Sequence, residues 1–527
     1  MKDLSESAPA PSIRRPRHYA LLLTAILLLA LTLRVIGITW GLPDHAQLGE
    51  PPIHPDEAAI YSRGATLYSN PDAVTFTWGG SLYYRLSYLA GVVARFFEAP
   101  FAMSHFALTL LLLRLLNVLL GTATVAIVAA LATRRIDPAV GLASGALLAC
   151  FPNHVLASHY ARPDILMTFL CSASLACACS LGAFGRMRQL GLGSILAGLA
   201  IATSSWGFIT IPSLAVAWLL QRRTLGLSSL VALPLLVALG YSLGSFESFL
   251  FWDAFGDGFV RATEMHEVRF HFPTRLLTTV SFYAFGSVAS FFAWAGLAGM
   301  LARRRQTDWI IAIYLIAGGL MLSRMGSEMI RYLLFLSPAV AIAAAASSIA
   351  AARALPFAGL PAAAREVVCV SVVVLFTLQL SATYVLAMGL REDPRYQIGS
   401  LLTAQAKPGA TVGITQSFYG DKSYSPRFAP GHRLRIVPLM LRADTDASGY
   451  LERPLDYVAT SDFASDHARG EFAHEFFRTL RESGRFHPSL EVGAVTPPLR
   501  IAGWFGGTRP GDLMYVQSSL IVYEAAR

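Results

Sequence analysis

The residues best suited to chemistry are two adjacent carboxylates behind a proline, in Ile53-His54-Pro55-Asp56-Glu57-Ala58-Ala59. Proline suits the first position of a helix, and acids in the first turn complement its dipole, so alone the stretch reads as a helix start. The setting recurs at Ser158-His159-Tyr160-Ala161-Arg162-Pro163-Asp164, where Asp164 again follows a proline. A carboxylate held ionised at a helix N-terminus is also how a base for a hydroxyl proton would be presented. Taken singly, each is more simply a helix cap. The elements around them reverse that order, because they place both acids on the same side of a membrane.

The chain has 527 residues, of which 54% are hydrophobic and only 14% charged. Soluble proteins carry about 25% charged residues, so this composition predicts a membrane protein. The net charge of +9 does not point to nucleic acid. Its basic residues fall in short clusters between apolar runs, as in cytoplasmic loops, and no nucleic-acid or nucleotide-binding motif occurs. The five cysteines, Cys150, Cys171, Cys177, Cys179 and Cys369, all sit in apolar runs without metal spacing and read as small packing residues.

Residues 1–18 are polar, carry Arg14, Arg15 and Arg17, and are expected in the cytoplasm. The run 19–40 is an uncleaved anchor, since it is too long for a signal peptide and no small-x-small site follows. Residues 41–103 form a first outer loop holding Asp56 and Glu57. Within it, 82–97 is apolar but interrupted by Arg85 and Arg95, the pattern of an interfacial or re-entrant helix. Further apolar runs at 105–132, 139–155, 165–184, 190–204, 208–220, 225–243, 276–301, 309–322, 332–351 and 367–387 alternate with arginine clusters. That makes about eleven spans by the rule that a bilayer takes ~20 residues to cross. An odd number with the N-terminus inside places the C-terminal part outside, with the Asp56 loop. Residues 391–527 read as a soluble α/β domain, with strand-like runs at 411–415, 434–439, 455–460 and 520–523 and a helix over 470–483.

Several charges sit where a membrane disfavours them. Arg114 lies about ten residues into the second span, where an unpaired charge costs about 2.5–3.5 kcal/mol. It is expected to face an acid and support the site, with Asn117 on the same face. Arg324 and Arg331-Tyr332 break the positive-inside pattern near the tenth span. Outer arginines can simply meet lipid headgroups, but one beside a tyrosine at a helix start can also grip phosphate. The outer loop 244–275 adds Arg261, His266, Arg269, His271 and Arg275.

Together these pieces resemble the polyprenol-phosphate-sugar-dependent membrane glycosyltransferases of the GT-C fold, a superfamily that includes protein O-mannosyltransferases and lipid A aminoarabinose transferases. The resemblance spans essentially the whole chain. It rests on His54-Pro55-Asp56-Glu57, Arg114-Leu-Leu-Asn117 with Gly121-Thr-Ala-Thr124, Phe151-Pro152, His159-Tyr-Ala-Arg162-Pro-Asp164, Arg331-Tyr332 ahead of Pro338, and Asp393-Pro394-Arg395. It implies a mainly α polytopic bundle over 19–390 and an extracytoplasmic α/β domain over 391–527. It also implies transfer of a sugar from a polyprenyl-phosphate donor to a lipid, glycan or protein hydroxyl at the outer face of the cell's inner membrane. Asp56 maps to the family's catalytic base, Glu57 to its neighbour and Asp164 to the second outer acid. Donor phosphate falls to Arg331, Arg324, Arg269 and His266, with His54, Arg114, His159, Arg162 and Tyr332 in support.

The chain departs from the family at one point. Many relatives carry a lysine after Ala-Thr between the fifth and sixth spans, where this chain reads Ala202-Thr203-Ser204-Ser205-Trp206. No cofactor is assigned: outer carboxylates could hold a divalent metal, but the first outer loop has no Asp-x-Asp motif. The competing readings are a lipid-linked-sugar transporter, which the lack of an inverted repeat disfavours, and a catalytically silent relative. The alternation of arginine clusters predicts that a periplasm-active reporter fused at Arg527 is active and a cytoplasm-only reporter silent. The opposite result would overturn the topology.

Overall fold

Apolar runs bounded by arginine and proline fold here as helices, and proline or glycine sets where they break. The computed structural model describes residues 17–42, 54–70, 81–101, 103–253, 256–257, 280–323, 330–354, 360–390, 393–416, 425–428, 431–440, 448–461, 471–493 and 519–526. The helices before the site are α1 (Arg17–Val35), α2 (Pro55–Thr66), α3 (Leu82–Ala94), α4 (Glu98–Phe101), α5 (His105–Arg135), α6 (Pro138–Cys150) and α7 (Pro152–Ser158). The chain continues through α8 (Asp164–Phe184), α9 (Met187–Thr203), α10 (Thr210–Leu225), α11 (Ser228–Gly244) and α12 (Glu247–Leu250). It completes the bundle with α13 (Ser281–Phe285), α14 (Ser287–Arg303), α15 (Gln306–Leu322), α16 (Ser337–Ala354) and α17 (Ala362–Leu390).

Among the described residues, 5 helices are long and apolar enough to cross a membrane, or 6 if the bent pair α6–α7 is one span. Four shorter apolar helices, α9, α11, α14 and α15, and the similar-length α10 fill the remaining expected runs. The protein is a multi-pass membrane protein.

Two of the expected continuous spans are broken. The run 139–155 divides between α6 and α7, whose axes bend by 57°. Pro152 has no N–H to give, and Phe151 before it is extended (ψ 122°), as steric clash with a following proline requires. The run 276–301 breaks at Gly286, whose φ of 85° is the left-handed region that glycine enters freely. The apolar stretch expected at 82–97 as an interfacial or re-entrant helix is helical over α3.

The break after α6 strands carbonyls inside the bundle, and an arginine absent from the sequence reading meets them. Arg34, fully buried on α1, donates from Nη1 to Ala149 O (3.2 Å) and from Nη2 to Leu148 O (3.3 Å) and meets His154 Nδ1 (2.9 Å). Ser381 Oγ donates to the carbonyl of Cys150. A cation at a helix C-terminus also complements its dipole. Gly121 of α5 lies against this site: a Cβ there would meet Ser158 Oγ at 2.7 Å and Arg34 Nε at 3.1 Å.

Among the described residues the strands all fall between 411 and 525, and the sheet has 5 of them in the order β2-β1-β3-β5-β4: β1 (Thr411–Gln416), β2 (Arg435–Met440), β3 (Tyr457–Ser461), β4 (Phe486–Val492) and β5 (Leu520–Ala525). β1 pairs in parallel with β2 and β3, whereas β5 runs antiparallel to β3 and β4. Alternation sends Val412, Ile414, Ala459 and Val522 to one face, against Ile398 and Leu402 of α18 (Pro394–Gln405). Val458 and Tyr523 point the other way, against Phe476, Phe477 and Leu480 of the helix Glu471–Glu482. Strand β4 is absent from the sequence reading because Phe486-His-Pro-Ser-Leu reads as polar and proline-broken. Proline is tolerated there on an edge strand, beside a register shift between Pro488 and Leu490.

Replacing Arg34 by Leu should destabilise the protein by on the order of 3 kcal/mol, because it leaves two carbonyls and His154 Nδ1 without their donor. Arg34→Lys should lose less. Thermal unfolding in detergent checks this, and an equally stable Leu variant would contradict the capping role.

Candidate active site

The site is built at the start of α2. Pro55 occupies the first helical turn, and the side chain of His54 caps the helix by accepting from Asp56 N at 3.2 Å. Adjacent helical residues point about 100° apart, so Asp56 and Glu57 face different surroundings. Glu57 turns into the protein and is 0% exposed. It accepts from Arg114 Nε at 2.8 Å and Nη2 at 2.7 Å, and from Ala161 N at 2.6 Å. The second Arg114 amino group donates to Ile38 O and Trp40 O, each at 2.7 Å. This arginine has the acid partner its depth required, and the pair welds α2, α5, the chain after α1 and the 161 backbone together.

Asn117, one turn along α5 from Arg114, donates to Tyr160 O (2.7 Å), Arg162 O (2.9 Å) and Tyr83 OH (3.1 Å). It therefore fixes the loop that carries Arg162. His159 faces the backbone, with ring nitrogens 2.8 Å from Val155 O and Ile36 O. It supports the loop and does not line the pocket.

Asp56 turns to a pocket lined by Asp56, Ile60, Arg162, Pro163, Asp164, Ser204, Trp206 and Tyr332. Its carboxylate meets Arg331 Nη1 at 3.1 Å and Arg162 Nη2 at 3.4 Å, and the same Arg162 nitrogen reaches Asp164 at 3.0 Å. Burial alone would raise the Asp56 pKa, but Arg162 and Arg331 outweigh it and hold the carboxyl well below the usual carboxylate range. Burial, reinforced by Arg162, pushes the His54 pKa well down. A neutral imidazole has one lone-pair nitrogen, and Asp56 N–H and Arg162 Nη1 (3.1 Å from Nε2) compete for it. The Tyr160 ring meets His54 edge-on at 4.6 Å.

The far wall is aromatic. Trp206 stacks on Phe335 with centroids 5.3 Å apart and lies 5.8 Å from Tyr332. Ser204 and Trp206 come from the turn where the family resemblance leads one to expect a lysine.

The sequence reading missed a latch that ties α12 to α3 and to Tyr68. Glu247 of α12 accepts from Arg85 (2.8 and 2.6 Å), Tyr68 OH (2.7 Å) and Ser81 Oγ (2.5 Å). Burial raises its pKa, but these donors, Arg85 foremost, bring it down to about 2. The available signal was Arg85, one of the two arginines interrupting the apolar stretch at 82–97.

Asp56, Asp164, Arg162, Arg331 and Tyr332 thus converge, with His54 beneath them and Glu57 and Arg114 behind. Arg324, Arg269 and His266 lie outside the described residues. For a metal the described residues offer no group of three or more His, Cys, Asp or Glu. The Arg162 guanidinium also stands between Asp56 and Asp164, where a shared cation would have to sit. These residues do not fit a metal centre.

No family model matches the chain, and no curated protein does. Its structure is similar to that of the oligosaccharyltransferase of Archaeoglobus fulgidus, solved with Zn and sulfate. The TM-score is 0.54 at 15% identity, over 88% of this chain and 71% of that one. It is also similar to ArnT from Cupriavidus metallidurans bound to undecaprenyl phosphate, with a TM-score of 0.48 at 14% identity, over 96% of this chain and 98% of that one. The first likeness establishes the fold as that of the GT-C membrane proteins.

The two acids should separate experimentally. Glu57→Gln leaves the Arg114 charge buried without its counterion and should cost about 3–5 kcal/mol. Asp56→Asn, at a partly exposed position, should change the unfolding midpoint far less. Equal midpoints for the two variants would contradict the division of roles.

Proposed function

We propose that this protein is an integral-membrane glycosyltransferase. It moves a sugar from a polyprenyl-phosphate donor to a hydroxyl of a lipid, glycan or protein acceptor on the outer face of the inner membrane. The N-terminal tail is cytoplasmic, and the sheet-bearing part, residues 391–527, stands outside. The observation that carries this reading is the Asp56 carboxylate lining a pocket, flanked by two arginines and an aromatic wall. The GT-C fold supports it.

In this mechanism Asp56 accepts the acceptor hydroxyl proton while the acceptor oxygen bonds to the anomeric carbon. The bond from that carbon to the donor phosphate breaks, and its electron pair leaves with the polyprenyl phosphate. Attack opposite the leaving group inverts the anomeric centre, by analogy with inverting glycosidases. A carboxylate with so low a pKa is a weak base in the resting site. It serves because the hydroxyl becomes acidic only as it bonds to an oxocarbenium-like carbon, so proton transfer comes late. Arg331 stabilises the departing phosphate, replacing a general acid. Arg162 holds Asp56 and Asp164 in register. The arginine beside Tyr332 supplies the cation where Ser204 stands in place of the lysine that the resemblance leads one to expect. Asp164, at the N-terminus of α8, orients Arg162 and the acceptor.

Transfer of radiolabelled sugar from a lipid-phosphate donor in membranes tests the reading. Asp56→Asn keeps size and hydrogen bonding but removes the base, and should lower turnover about 10²–10⁴-fold. Arg331→Lys should lose rate while retaining part of the donor affinity, since an ammonium cannot reproduce the guanidinium fork. Near-normal turnover of the Asn variant would end the base assignment.

A further inference from the structure

Among the described residues, the charges that pair in the pocket balance one another. Asp56 and Asp164 bring two negative charges, and Arg162 and Arg331 two positive ones. His54 is neutral and Glu57 and Arg114 cancel each other behind it, while Arg63, which donates to Tyr84 OH at 3.1 Å, acts on Asp56 less than Arg162 and Arg331 do. Among the described residues, both arginines of the pocket are already paired with carboxylates, so either one that grips a phosphate must change partners.

The two arginines differ in how they could do so. Arg162 is tied to three groups: Asp164 at 3.0 Å, His54 at 3.1 Å and Asp56 at 3.4 Å. Its backbone carbonyl is further held by Asn117. Arg331 reaches Asp56 through Nη1 at 3.1 Å, against the two short contacts of 2.8 and 2.7 Å that Arg114 makes with Glu57. It also has a second seat: its guanidinium lies 5.3 Å from the Tyr332 ring centroid, with Nη2 3.5 Å from Tyr332 OH. Tyr332 lines the pocket, so a guanidinium resting there still faces an incoming ligand. A phosphate offers several oxygens to the planar fork, more than one carboxylate oxygen does.

We infer that Arg331 is exchanged between Asp56 and the donor phosphate, so that donor binding itself releases the carboxylate that must accept the proton. The inference rests on the glycosyltransferase reading for the identity of the anion. It adds an order of events: Asp56 is held as a poor base while the site is empty, and becomes a better one only when a phosphate has taken Arg331 from it. Activated donor and competent base then arise together, and water in the empty site meets a blocked carboxylate.

The test is a double-mutant cycle on ligand binding, with the full-length protein in lipid nanodiscs and a polyisoprenyl phosphate as probe. Asp56→Asn should tighten binding about 10-fold by freeing Arg331, whereas Arg331→Gln should weaken it. In the Arg331→Gln background, Asp56→Asn should change affinity less than about 2-fold, the coupling expected of two groups sharing one partner. Inorganic phosphate titrated in parallel should show the same dependence on Asp56. A gain that persists without Arg331 would mean that charge removal acts over a distance, and would overturn the exchange. So would weaker binding in the Asn variant, or inorganic phosphate indifferent to it. Wild-type protein that transfers sugar while its Asn variant binds with unchanged affinity would sink the exchange alone. Wild-type protein that neither binds polyisoprenyl phosphate nor transfers sugar would sink both readings.

Discussion

The buried ion pair between Glu57 and Arg114 is the constraint on which the site depends. Two charges removed from water must be matched to each other and to further hydrogen-bond partners, because each alone is costly in low dielectric. Here the carboxylate takes both guanidinium contacts and the Ala161 amide, and the guanidinium spends its remaining donors on Ile38 and Trp40 carbonyls. That set of partners fixes the rotation of α2 about its axis. With Glu57 locked inward, the preceding residue must point elsewhere, and elsewhere is the pocket. The second acid of the pair thereby aims the first.

Other polar contacts extend this frame. Asn117 holds the Arg162 loop from the same face of α5 as Arg114. Arg34 meets the carbonyls that Pro152 frees when it breaks the α6–α7 span. That break lets the chain turn sharply before residues 159–164, and the close approach of Gly121 leaves room for the arginine. From outside the bundle, Arg395, paired with Asp393, lies 5.5 Å from the Trp40 ring, whose residue also supplies a carbonyl to Arg114. The start of α18 thus reaches the same frame. Glu247 and Arg85 do comparable work between α12 and α3.

The pocket itself is less rigidly satisfied than its supports. Its contacts are longer, its carboxylate is partly exposed at 29%, and opposite charges are interleaved rather than sealed in pairs. Such an arrangement can re-pair when a charged ligand arrives, whereas the Glu57–Arg114 pair, exposed by 0% and 1%, cannot without unfolding its surroundings. Sealed, short contacts behind and longer, partly exposed ones in front distinguish the two layers of the site.

Much of this was legible in the residues alone. Runs of about 20 apolar residues punctuated by arginines determine a multi-pass bundle, because a bilayer tolerates little else. Proline followed by acid determined two helix starts, at Asp56 and Asp164, and the depth of Arg114 demanded an acid. The strands at 411–416, 435–440, 457–461 and 520–525 followed from short apolar runs, while β4, carrying its proline on an edge, did not. Spacing along the chain could not say which acid Arg114 would choose, since both carboxylates of Asp56-Glu57 were open to it. Nor could it bring Arg331 to Asp56, 275 positions away, or set Ser204 and Trp206 in the same pocket. An arginine in an apolar run, such as Arg34 or Arg85, has no visible partner in one dimension. Its partner is a carbonyl or carboxylate on another helix, and only packing in three dimensions decides which one comes within 3 Å.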